Sequence, residues 1–195
     1  MTTIRLARPA DAPETATLIM EAMNADCCAW FYGPSHTAEE FHAFMTDLVA
    51  STHSQYSHLN TFVADVEGDI AGIIVSYDGS QLHSLRQPFI DGMKERFGRD
   101  LSDIVDETQS GELYLDSLCV KPQYRGRGIA KMLINAAVEK TKNLGLPQTG
   151  LLVDQGNPKA EKLYRSLGFE EANQTTWGGH AMKHLTLKAF PSTQA

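Results

Sequence analysis

The chain has 195 residues, of which 42% are hydrophobic and 21% charged; these are the proportions of a folded globular protein, and they exclude disorder as its main state. Seventeen Lys and Arg stand against 24 Asp and Glu, a formal charge of −7. That balance speaks against non-specific binding to nucleic acid or to an anionic membrane surface, and it tolerates cationic partners.

Residues 3–7 predict a short strand ending at Arg8-Pro9. No apolar run follows these first arginines, so no secretory signal is expected, and no segment approaches the ~18 uninterrupted apolar residues of a membrane span. Asp11 and Glu14 have capping-box spacing, Pro13 lies in the first turn, and Leu18, Ile19, Ala22 and Met23 form the apolar stripe of a helix. Residues 25–35 are expected to form a loop carrying Trp30-Phe31-Tyr32. Thr37 and Glu40 repeat the capping box before a second stripe of Phe41, Phe44, Met45, Leu48 and Val49.

Two strands over 61–66 and 70–77 are joined at Glu67-Gly68-Asp69, a hairpin signal. The strand rhythm then stops from 79 to 111. A structureless loop of that size is improbable in a compact domain, so the segment reads as a helical insertion, with a helix over 88–97 and a further turn or two over 100–107. Residues 112–120 form the best strand, with Cys119 as a small hydrophobe inside it. Three cysteines cannot make a complete disulfide set and no metal-ligand spacing appears, which points to a reducing cytoplasm and no metal. A helix follows from 130, then a strand over 151–154, a helix from Asn157 closed by Gly168, and two strands flanking Trp177-Gly178-Gly179. This order predicts an α/β fold with helices on both faces of a mixed sheet. Residues 1–190 are read as one domain and 191–195 as a tail.

The segment Gln123-Tyr124-Arg125-Gly126-Arg127-Gly128-Ile129-Ala130 lies between a strand and a helix. Two glycines let the backbone curl with its N–H groups inward, and the helix start adds unsatisfied N–H groups and a positive dipole end, which together make an anion site. Ile129-Ala130 stand where a nucleotide P-loop needs Lys and Ser or Thr, and Lys131 breaks the dinucleotide pattern. A Gly-rich turn with solvated arginines is the alternative.

Gln123-Tyr124-Arg125-Gly126-Arg127-Gly128 resembles the Q/R-x-x-G-x-G/A signature of the GNAT superfamily of acyl-CoA-dependent N-acyltransferases. Independently, residues 157–169 resemble its N-x-x-A-x-x-L-Y-x-x-x-G-F segment, through Asn157, Ala160, Leu163, Tyr164, Gly168 and Phe169. The resemblance implies a mostly antiparallel central sheet, here with the helical insertion between the third and fourth strands. It implies acetyl-CoA as cosubstrate, its pyrophosphate cradled by residues 123–130 and its pantetheine arm in a V-shaped gap walled by the 112–120 and 151–154 strands. A backbone N–H near Leu118, Cys119 and Val120 would face the thioester oxygen, Asn157 would contact the coenzyme, and Tyr164 would be the acid for the departing thiolate. A half-buried helix tyrosine is the other reading of Tyr164.

Alternation along 112–117 puts Glu112, Tyr114 and Asp116 on one face and Leu113, Leu115 and Ser117 on the other. In the GNAT superfamily that face supplies a base, so Asp116 is the first choice and Glu112 the second. A hydrogen-bonded structural carboxylate at a strand bulge is the alternative for Asp116. Tyr114 and the Trp30-Phe31-Tyr32 segment are candidates to line the acceptor site, with ordinary packing as the alternative. The seven histidines read as surface or core residues, and the acidic run Asp100, Asp103, Asp106 and Glu107 either draws a cationic amine or is a solvated face.

The expected function is acetyl transfer to a primary amine by direct attack, with a small-molecule acceptor favoured, no nucleic-acid or membrane partner, and a homodimer possible. A non-catalytic acyl-CoA-binding regulator, a protein N-terminal or lysine acetyltransferase, and a wider range of acyl donors are the alternatives.

Overall fold

The computed structural model describes residues 1–190; the expected tail at 191–195 lies outside them. Among the described residues seven strands form one sheet: β1 (Thr2–Leu6), β2 (Thr61–Val66), β3 (Asp69–Asp78), β4 (Glu112–Val120), β5 (Gln148–Asp154), β6 (Glu170–Trp177) and β7 (His180–Lys188). Their order is β1-β2-β3-β4-β5-β7-β6. All neighbours are antiparallel except β4 and β5.

Among the described residues six α-helices flank this sheet: α1 (Ala12–Met23), α2 (Ala25–Tyr32), α3 (Ala38–Ala50), α4 (Leu82–Phe97), α5 (Ile129–Asn143) and α6 (Pro158–Arg165). The first four cover one face, where Leu18, Ile19, Phe41, Met45, Phe89 and Met93 pack against Ile73, Val75 and Tyr77 of β3. α5 and α6 cover the other, where Leu133, Ile134 and Ala137 pack with Leu113, Leu115, Leu151 and Phe169. Helices on both faces are as the sequence predicts. Thr37 and Glu40 form the capping box of α3.

Four local expectations are corrected. The 25–35 segment is mostly helix α2, started by Asn24, whose Oδ1 accepts the Cys27 N–H at 2.9 Å; its apolar residues are then fixed by packing rather than by a strong stripe. The insertion helix begins six residues earlier than Pro88, because a proline in the second turn removes only one hydrogen bond. Residues 100–107 are not helical; Asp100 accepts the Ser102 N–H in a local turn, and Asp106 and Glu107 turn toward Arg86 of α4. Asp11 does not cap α1: it accepts from the Arg8 N–H and pairs with Arg5 at 2.7 Å.

Candidate active site

β4 and β5 run in the same direction and pair only at their starts, Glu112 with Gln148, Leu113 with Thr149 and Tyr114 with Gly150. Beyond Tyr114, β4 stays paired with β3 to Val120 while β5 follows β7 to Asp154. The strands therefore splay, and a gap opens toward their C-terminal ends. The chain after β4 runs into α5 and the chain after β5 into α6, so both helix starts lie at the open end. Ligands in α/β sheets bind at such a place, outside the carboxyl ends of diverging strands.

At the mouth of the gap, Gly126 and Gly128 have φ of +76° and +80°, a conformation that L side chains avoid. A Cβ at either would meet nothing within 4 Å, so the space beside both glycines is open. No side chain caps α5, and its first recorded backbone bond runs from Met132 N to Gly128 O. The N–H groups ahead of it, with the positive end of the helix dipole, suit a phosphate. Around them Arg125 Nε holds the Val120 carbonyl at 2.9 Å, Arg127 lies over the Tyr124 ring at 5.2 Å, and Tyr124 donates to Asp69 at 2.7 Å. Gln123 is exposed in the short helical turn before the loop. Asn157 caps α6, its Oδ1 accepting the Ala160 N–H at 3.1 Å.

Within the gap β4 is irregular. Ser117 pairs with Val75 and Leu115 with Ser76, which leaves Asp116 as an extra, bulged residue. The bulge resets the alternation. Tyr114 packs toward α1–α4 and Leu113 and Leu115 toward α5, as expected; past Asp116, Cys119 joins the first face and Leu118 and Val120 the second. Asp116 faces the α1–α4 side, where its Oδ2 accepts from Tyr77 Oη and Gln55 Nε2, each at 3.2 Å, and its Oδ1 accepts from Ser117 Oγ at 2.7 Å. Burial raises its pKa against these hydrogen bonds and the charge of Arg86.

The insertion brings a second carboxylate to this point. Glu107 accepts from Tyr77 Oη at 3.1 Å and from Arg86 Nη1 at 2.8 Å. Burial and the charge of Asp116 push its pKa up to about 7, with Arg86 opposing them. Glu112 is fully enclosed: Thr108 Oγ1 donates to Oε1 at 2.7 Å, and His184 Nε2 lies 2.8 Å from Oε2. Asp106, Glu107, Glu112, Leu152, Asn173 and His184 line a pocket of about 120 Å³ between the insertion and the β6–β7 hairpin.

Tyr164 is half-buried on α6, 5.8 Å from the Phe169 ring. Burial pushes its hydroxyl up to about 12, and it lies close enough to Tyr114 to bear on that residue's ionisation. Cys119 is buried, its Sγ 3.5 Å from Glu21 Oε2, and its thiol is pushed up to about 12. Tyr114 is buried against Tyr77 at 5.8 Å.

The aromatic trio is divided. Phe31 is a core residue between Phe41 and Phe89, which corrects its assignment to the acceptor site: helix α2 turns it inward. Tyr32 packs on Phe41 at 5.9 Å, and Trp30, 55% exposed, lies under the Arg99 guanidinium at 5.4 Å. Gln55, Tyr77, Arg86 and His184 are site residues that sequence reasoning missed. Of the acidic run, Glu107 alone is buried. Among the described residues, no group of three or more His, Cys, Asp or Glu is arranged to hold a metal ion, and no helix is long and apolar enough to cross a membrane.

Residues 21–169 match the model of the Acetyltransferase (GNAT) family, and the chain belongs to that family. It is similar to the thialysine N-epsilon-acetyltransferase of Mus musculus, 35% identical over 95 residues, which are 45% of this chain and 56% of the mouse protein. The match therefore spans about half the length of that relative. Similarity to the aminoglycoside N(6')-acetyltransferase type 1 of Salmonella typhimurium is 28% over 120 residues, 62% of this chain and 68% of the other. A crystal structure of an acetyltransferase superposes with a TM-score of 0.79 at 28% identity, covering 96% of this chain and 100% of that one.

Proposed function

We propose that the chain is an N-acetyltransferase that moves an acetyl group from acetyl-coenzyme A directly to a primary amine of a small cationic molecule. The observation that carries this reading is the splay of β4 from β5, with an uncapped helix start at its mouth and the bulged Asp116 on its wall. The coenzyme supplies the activated acetyl group. Backbone N–H groups of residues 126–130 hold its pyrophosphate, with Arg125 and Arg127 beside them, and the gap takes the pantetheine arm.

Direct transfer asks three things of the protein. Asp116 removes the proton from the acceptor ammonium; a bulge re-aims the side chain it carries, and burial makes this carboxylate a stronger base than an exposed one. A backbone N–H near Leu118 and Cys119 holds the developing oxyanion. Tyr164 returns a proton to the thiolate, a task that its raised pKa suits because the hydroxyl stays protonated through the neutral range. Glu112 is set aside as the base because it is wholly buried, whereas Asp116 keeps part of its surface open.

A cationic acceptor is favoured by the pocket beside this wall, where the carboxylates of Asp106, Glu107 and Glu112 outnumber the Arg86 guanidinium. Gln55 adds a buried carbonyl, Oε1, with no donor among the described residues, next to the oxygen that it binds on Asp116. The names of the mouse and Salmonella relatives are those of enzymes acting on amines, which agrees with this choice. The test is thiol release from acetyl-coenzyme A over a panel of amines with one, two and more positive charges. Release with multiply charged amines and none with neutral ones is expected. Tight coenzyme binding without release from any amine would leave a binding protein and sink the reading.

A further inference from the structure

The hydroxyl of Tyr77 lies 3.1 Å from Glu107 Oε1 and 3.2 Å from Asp116 Oδ2. A phenol has one hydrogen to give and these are two carboxylates. With both ionised, one oxygen–oxygen contact contains no hydrogen and is repulsive. With one proton added to the pair, the chain carboxyl O–H to phenol oxygen and phenol O–H to carboxylate satisfies both contacts. The arrangement thus fits one proton spread over three groups. Arg86, itself buried, fixes the outer end by donating to Glu107 Oε2 at 2.8 Å and pairing with Asp106. Gln55 and Ser117 fix the inner end at Asp116.

We propose that Asp116, Tyr77 and Glu107 form a proton relay, in which the insertion's Glu107 stores the proton that Asp116 takes from the acceptor and passes it to the pocket. This rests on the reading of Asp116 as the base. The N–H bond of the ammonium breaks and an O–H bond forms on Asp116. Asp116 then gives that proton to Tyr77 Oη while the phenol's own hydrogen moves to Glu107 Oε1. Tyr77 ends neutral, Asp116 ends ionised, and the net transfer is one proton from nitrogen to Glu107. Glu107 lines the pocket, from which water removes the proton. Tyr77 and Glu107 are positioning and storage groups, which act through Asp116.

The charged and titratable groups facing this relay are Arg86 of α4, Asp106 beside Glu107, Tyr56 ahead of β2, Tyr114 and Glu112 of β4, and His184 of β7. Arg86 is permanently charged, and the tyrosines stay neutral because burial and the neighbouring carboxylates raise all of them. Burial of both carboxylates, with the charge of Asp116 adding to it at Glu107, therefore sets the acid limb of the rate. Removing the Glu107 charge lets Asp116 ionise at lower pH and makes it a weaker base.

The test is kcat against pH for Glu107→Gln and Tyr77→Phe, with Asp116→Asn in parallel and coenzyme affinity as the check on folding. Both relay variants are expected to lower kcat about tenfold, Tyr77→Phe with acceptor KM within about twofold, and Glu107→Gln to move the acid limb to lower pH. If Asp116→Asn is inactive while the Glu107→Gln profile keeps its acid limb, the relay is wrong and the base stands. If Asp116→Asn retains activity, the base reading itself fails. Should the variants not fold, carboxyl 13C shifts of the unaltered protein decide: one carboxyl titrating near neutrality supports the relay, and none overturns it.

Discussion

Glu112 of β4 and His184 of β7 meet across the intervening strand β5, 2.8 Å apart, at the position where β5 carries Gly150. The pair is almost wholly buried and holds the two halves of the sheet together at the closed end of the splay. A Cβ built on Gly150 would overlap Glu112 Oε2 and lie 3.0 Å from His184 Nε2, so this crossing exists because β5 has no side chain there.

Gly150→Ala should therefore force the pair apart. Overpacking of this kind costs about 1–3 kcal/mol, which for a chain of this size is a fall of about 2–12 °C in melting temperature. Scanning calorimetry checks it, and an unchanged melting temperature would mean that the carboxylate and imidazole have room to move.

Gly126→Val addresses the loop. Its φ of +76° penalises a β-branched residue by about 1–2 kcal/mol, but no protein atom lies within 4 Å of the new Cβ. The added bulk and the strained φ would disturb the loop proposed to hold the pyrophosphate. Titration calorimetry should show at least about a tenfold loss of coenzyme affinity, equivalent to 1.4 kcal/mol, while the variant stays folded.

Tyr164→Phe separates the acid from the helix tyrosine. Loss of a general acid should lower kcat by about 10²-fold or more with the acceptor KM little changed. Because burial holds the hydroxyl at about 12, the unaltered enzyme should show no alkaline limb from this group up to pH 10. An identical kcat at every pH would return Tyr164 to a packing role.

Glu107 also imprints a pH dependence on stability. Its carboxyl titrates near 4.5 in the unfolded chain and near 7 in the folded one. Between those values the folded chain keeps a proton that the unfolded chain has released, so this group's contribution falls as pH rises and is most favourable below the unfolded value. Asp11, held down by Arg5, acts in the opposite sense and only at more acidic pH. Melting temperatures from pH 5 to 7.5 should thus decline less steeply for Glu107→Gln than for the unaltered protein, whatever the absolute offset from its lost pairing with Arg86.

The sequence was readable where the determining contacts are local. Thr37 and Glu40 are three residues apart, the two motifs are short, and alternation up to the bulge needed only a period of two. Of the two readings made of Asp116, the structure shows the bulged, hydrogen-bonded carboxylate; its part as the base is a proposal. What escaped was long-range. Glu107 is buried because Arg86, twenty-one residues earlier, meets it; an acidic run alone looks like a solvated face. His184 acquires its partner from 72 residues away, and Phe31 is drawn inward by α3 and α4. No pattern within a single element announces such pairings.

The three residue pairs joining β4 to β5 have a mechanical meaning. The molecule is two unequal leaves, β1–β4 and β5–β7, riveted at one end and parted at the other. A coenzyme seated between the leaves would grip both, so saturating it should stiffen the whole chain; at a hundred times its dissociation constant, linkage alone adds about 2.7 kcal/mol. The cosubstrate would then serve as the missing stretch of sheet, and amide exchange should slow most along the facing edges of β4 and β5.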